Sequence, residues 1–200
     1  QIGYIHIPDM STVGLDEFTK LFYTQLDKKA LIIDDRMNGG GNVSPMIIER
    51  LQREVYRMNM YRNGSEGLAT IPESTHHGPK VCLVDKYSSS DGDLFPYGFQ
   101  KLGIGPLIGT RTWGGIVGIS GSKPYVDGQD VRTPFFTSYS TDGKWILENE
   151  GVTPDIYVDI NPFEDYLGND AQLNKAVEVL LEQIKTYPQL PGVPAPRVMD

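Results

Sequence analysis

Apolar positions along the chain fall into two alternating patterns. Short runs at Tyr4-Ile5-His6-Ile7, Ala30 to Ile33, Val81 to Val84 and Leu107-Ile108-Gly109 have the length and composition of strands. Between and after them, apolar residues recur at helical spacing: Leu15, Phe18, Leu21, Phe22 and Leu26; Met46, Ile47, Leu51 and Val55; Leu94, Phe95, Phe99 and Leu102. Leu173, Val177, Leu180, Leu181 and Ile184 mark a closing helix. Strand and helix in alternation predict an α/β domain. Residues 62–79 are polar and turn-rich and predict a surface loop. Residues 112–160 are rich in Gly, Tyr, Thr and Val without helical periodicity, which predicts hairpins and irregular β-structure.

With 200 residues the chain can bury a core of its own. We place the domain at residues 1–187 and a proline-rich tail, extended or disordered, at 188–200. The chain enters its first strand directly after Gln1, which reads as a piece of a longer protein. A net charge of -8 argues against a nucleic-acid surface, because such surfaces are basic. No apolar run approaches the roughly 18 residues of a membrane span. Cys82 is the only cysteine, so no internal disulfide and no cysteine pair for metal is possible. Its apolar neighbours mark it as a small buried residue. No cofactor is expected, and nothing in the sequence separates a cytoplasmic from a periplasmic location.

Three segments could carry chemistry. Ser88-Ser89-Ser90-Asp91-Gly92-Asp93 leads from a buried strand into a helix. A serine there is an ordinary helix cap, but it is also exposed beside free N–H groups that favour negative charge. Asn38-Gly39-Gly40-Gly41-Asn42 likewise joins a strand to a helix, and its glycines permit close backbone approach and positive φ. It lacks the lysine and hydroxyl residue of a phosphate loop. Glu148 could orient a hydroxyl or an imidazole, or could simply be solvated. A serine nucleophile needs a base. His6 lies within a strand, His76 and His77 fall in the polar loop and should face solvent, and none reads as catalytic.

Four blocks in order resemble the tricorn branch of the C-terminal-processing serine peptidases. They are Leu31 to Ser44, Ser89 to Asp93, Leu107 to Gly115 and Glu148 to Asp155. The resemblance runs from about Gly3 to Ile184 and implies a ClpP/crotonase-like fold of repeated ββα units. It makes Ser90 the nucleophile. It also implies an oxyanion hole built from the N–H of Asp91 and one from the glycine loop, assigned to Gly40 with Gly41 as the near alternative. Glu148 would hold a second serine that orients the base histidine, both on a segment upstream of residue 1, so that the 200 residues alone would be inactive. The family's lysine branch places its base near Gly114-Gly115, where no lysine stands; Lys123 is the closest later one. An aspartate that selects basic side chains is replaced at Tyr61-Arg62-Asn63-Gly64 by Asn63, with Glu66 as a possible substitute. The resemblance further implies peptide or unfolded-protein substrates, a homo-oligomer, and upstream β-propeller and PDZ-like domains. Two rivals share these features: an inactive peptide-binding module and a crotonase-type enzyme acting on acyl thioesters.

Overall fold

The computed structural model describes residues 1–61, 69–121 and 124–195. In chain order its elements are β1 (Ile2–His6), α1 (Thr12–Tyr23), β2 (Ala30–Asp34), α2 (Ser44–Leu51), β3 (Arg57–Asn59), β4 (Ala69–Ile71) and β5 (Lys80–Val84). They continue with α3 (Asp91–Lys101), β6 (Leu107–Gly109), β7 (Gly118–Ser120), β8 (Thr133–Phe136), β9 (Ile156–Tyr157), α4 (Pro162–Tyr166) and α5 (Ala171–Thr186). Five strands form one parallel sheet in the order β1-β2-β5-β6-β9. Two separate antiparallel pairs, β3-β4 and β7-β8, stand outside it.

Helices cover both faces of the sheet, which is why its strands are continuous apolar runs. Leu31, Ile33, Cys82 and Val84 share one core with Phe18 and Phe22 of α1, Ile47 of α2, and Phe95 and Phe99 of α3. Ala30, Ile32, Val81, Leu83 and Ile108 pack on the other face against Ala176 and Leu180 of α5. Burying each large side chain of this kind contributes about 1.5–3 kcal/mol. Cys82 is fully buried as expected, and burial pushes its thiol well above the usual range. Arg36 ties α5 to the sheet: it bonds both carboxylate oxygens of Asp34 and reaches Asp170 Oδ2 at 2.8 Å, and Asp170 also caps α5.

The sequence-predicted elements are present, with corrections at their ends. Helix α2 stops at Leu51, so Val55 lies beyond it. Leu26 likewise falls after α1. The polar stretch expected as loop contains β4, which pairs with β3. The irregular region contributes β9 to the main sheet, and α4 was not anticipated. His76 does not face solvent. It is 3% exposed, with Nε2 2.9 Å from the Lys28 carbonyl, and burial pushes its pKa down to about 4. The loop passes under the N-terminal edge of the sheet, where average polarity says nothing about contact. There it shields Lys80, whose ammonium donates to the Gly78 carbonyl at 3.2 Å; burial lowers its pKa to about 8.

Candidate active site

The C-terminal ends of β2 and β5 lie side by side, because the two strands are paired in parallel register. The glycine loop leaves the first and the serine cluster leaves the second. Ser90 is the N-cap of α3, with φ 58° and ψ -119°. That conformation costs a non-glycine residue on the order of 1–3 kcal/mol and persists only where neighbours impose it. They do so here on both flanks. Ser88 Oγ donates to the Asp35 carbonyl at 2.8 Å, the Ser89 N–H to the Asn38 carbonyl at 2.9 Å, and the Trp113 N–H to the Ser88 carbonyl at 2.9 Å. The Ser90 N–H donates to Asp93 Oδ2 at 2.9 Å. Gly92 is required as well, since a Cβ there would come within 2.6 Å of the Asn38 carbonyl oxygen.

Asn38 organises the facing loop. It is fully buried; its amide donates to the Ile7 carbonyl at 3.0 Å and its Oδ1 accepts the Gly40 N–H at 2.9 Å. Gly40 has φ +94°, and a Cβ there would lie 2.6 Å from Ser90 Cβ and 3.0 Å from the Asp91 nitrogen. The two loops therefore meet at Ser90. The Gly40 amide is engaged by Asn38, whereas the N–H groups of Gly41 and Asp91 have no acceptor among the described residues.

Three carboxylates brace this junction. Asp91 accepts the N–H and the hydroxyl of Ser44 at 2.9 and 2.5 Å, joining α3 to the start of α2. Asp93, fully buried, also takes the amides of Gly114 at 2.8 Å and Gly115 at 3.2 Å. The next two amides, of Ile116 and Val117, go to Glu148 Oε2 at 2.8 and 3.0 Å. Segment 114–117 is thus strung between Asp93 and Glu148. Glu148 itself sits between Leu147 and Asn149, both at positive φ, and Oε1 has no partner among the described residues. The sequence gives no sign of these roles of Asp93, Asn38 and Ser44, because partners such as Gly114, Ile7 and Asp91 lie far away in the chain.

No histidine joins the serine. His76 and His77 belong to the opposite edge of the sheet, and His6 is exposed on the strand face turned away from α3. Arg62, Asn63, Gly64, Glu66 and Lys123 lie outside the described residues. Among the described residues no group of three or more His, Cys, Asp and Glu side chains could hold a metal.

The chain is similar to known proteins along nearly its whole length. The model of peptidase family S41 matches residues 1–158. The tricorn protease of Thermoplasma acidophilum is 40% identical over 195 residues, 97% of this chain and 18% of that protein. The tricorn protease homolog of Saccharolobus solfataricus is 40% identical over 187 residues, 92% of this chain and 17% of that one. The chain therefore spans about a fifth of these relatives' length. The crystal structure of the tricorn protease superposes with a TM-score of 0.87 at 40% identity, over 92% of this chain and 18% of that one. The photosystem II D1 C-terminal processing protease, at 18% identity and a TM-score of 0.62 over 90% of this chain and 46% of that one, shares the fold alone. A family match across most of the sequence, with relatives this close over nearly all of it, means that the chain belongs to peptidase family S41, among its tricorn-type members.

Proposed function

We propose that the chain is the catalytic core of a serine endopeptidase that hydrolyses peptide bonds in unfolded chains or peptides, with Ser90 as nucleophile. The observation that carries this is the placement of Ser90: held at positive φ at a helix start, pressed against Gly40, with the unpaired Asp91 N–H beside it. Ser90 Oγ attacks the substrate carbonyl carbon and gives its proton to a base. The resulting oxyanion accepts N–H groups that have no other acceptor, each contributing on the order of 3 kcal/mol to the transition state. Asp91 supplies one. Gly41 supplies the second in preference to Gly40, whose N–H is bound to Asn38. The C–N bond then breaks, the base returns the proton to the leaving amine, and water hydrolyses the acyl-enzyme.

The base is a histidine from outside these 200 residues, held through a second serine by the unoccupied Oε1 of Glu148. On this reading the 200 residues alone have no measurable activity. The repeated units are of the ClpP/crotonase type, and the working protein is a homo-oligomer carrying further domains. The relatives' much greater length supports the last point. A fluorophosphonate probe on the full-length protein tests the assignment. It should label Ser90, and Ser90→Ala should abolish labelling and peptide hydrolysis together. Peptide cleavage that survives in Ser90→Ala refutes the nucleophile, and an acyl-thioester activity that survives favours the crotonase-type alternative.

A further inference from the structure

Trp113 is 60% exposed, yet its backbone and those of its neighbours are hydrogen-bonded to buried parts of the fold. The preceding Thr112 is fully buried and exchanges two hydrogen bonds with Val152, at 3.1 and 2.7 Å. The Trp113 N–H donates to the Ser88 carbonyl, two residues before Ser90, and the Gly114 N–H donates to Asp93. The indole lies against Gly115: a Cβ at that position would come within 2.2, 2.5 and 2.8 Å of three atoms of the six-membered ring. Gly115 in turn donates to Asp93 Oδ2, the same oxygen that accepts the Ser90 N–H. One carboxylate oxygen therefore fixes both the proposed nucleophile and the glycine on which the indole rests.

A large apolar side chain left in water on a mobile loop needs no explanation. One whose backbone is bonded to the junction that carries Ser90, and whose ring rests on Gly115, offers an apolar surface at little entropic cost. We propose that Trp113 is a specificity-determining residue, an aromatic shelf that receives a large apolar or aromatic side chain flanking the scissile bond. The preferred substrates are then peptides carrying such a residue there. This rests on the reading of Ser90 as nucleophile. Gly115 belongs to the same device, because any side chain at 115 would displace the ring.

The test uses the full-length protein and paired peptides that differ only in Phe against Ser at the positions flanking the cleaved bond. Trp113→Ala should lower kcat/KM for the Phe peptide by roughly tenfold or more, in the range seen when apolar pockets discriminate side chains, while the Ser peptide changes little. Trp113→Phe should retain most of the discrimination. The rate of fluorophosphonate labelling of Ser90 should stay as in the parent, which shows that the elbow is intact. Equal losses for both peptides, or none for either, overturn the shelf. Calorimetric binding of the same peptides to Ser90→Ala keeps the two readings separate. If the probe fails to label Ser90 in the parent, the nucleophile assignment falls, while the binding preference for Phe and its loss in Trp113→Ala still decide the shelf.

Discussion

Asp35 is fully buried at the end of β2, and neither of its carboxyl oxygens has a hydrogen-bond partner. Burial pushes its pKa well above the usual carboxylate range, and the charges of Asp34, Asp85 and Asp93 push the same way. The folded protein therefore holds this proton more tightly than the unfolded chain, where a free aspartate titrates near 3.9. The stability contribution of that proton is fully present below about pH 3.9 and is lost as pH rises toward the raised native value. Within that window each pH unit removes about 1.4 kcal/mol, against a typical total of about 5–15 kcal/mol. Asp35→Asn cannot ionise, so it should lack this slope. It will carry a separate, pH-independent penalty of about 1–3 kcal/mol for a buried amide without partners. The diagnostic quantity is therefore the difference between variant and parent as a function of pH. Urea unfolding of the 200-residue chain at several pH values from 5 to 8 measures it. The variant should gain on the parent as pH rises from 5, until pH passes the raised native value of Asp35. A difference that stays constant, or that moves against the variant, refutes the buried neutral acid.

Two further outcomes are expected. Gly40→Ala places a Cβ 2.6 Å from that of Ser90 at φ +94°, so stability should fall by about 1–2 kcal/mol from the left-handed conformation alone. kcat/KM of the full-length enzyme should drop roughly 100-fold as Ser90 is displaced, whereas Gly39→Ala, whose Cβ would meet nothing within 4 Å, should stay close to the parent; equal behaviour of the two variants would count against the geometry. Asp93→Asn removes one acceptor from a side chain serving the amides of Ser90, Gly114 and Gly115. It should cost about 1–3 kcal/mol in urea unfolding and slow fluorophosphonate labelling of Ser90, and an unchanged midpoint would show that the bridge carries no load.

Much of the architecture was legible in the order of residues, because local periodicity and burial are coupled. A strand covered on both faces is apolar along its middle, and residues 30–33 and 81–84 show it, with charges only at the ends, Asp34 and Lys80. The loops after those two strands stood out for the same reason: runs of glycine or of serine with aspartate are rare inside regular elements and mark places where the backbone turns sharply. Four-block likeness to known peptidases then named Ser90 and Glu148. His76 was misread because its burial comes from the Lys28 strand entry, 48 residues away.

The linear order of residues marked β1, β2, β5 and β6, the helices α1, α2, α3 and α5, and the two turns that could carry chemistry, since these follow from properties of neighbours in the chain. It pointed to Gly40 as the second amide donor, with Gly41 as the near alternative. That Asn38 Oδ1 takes the Gly40 amide, which is the ground for proposing Gly41 instead, is visible only in the folded chain. Nor could it reveal that Asp93 joins Ser90 to a segment that starts 21 residues beyond Asp93, or that Asn38 is anchored to Ile7. Hydrogen bonds such as these form only after the parallel sheet has brought distant strand ends together, so their partners leave no periodic trace in the sequence.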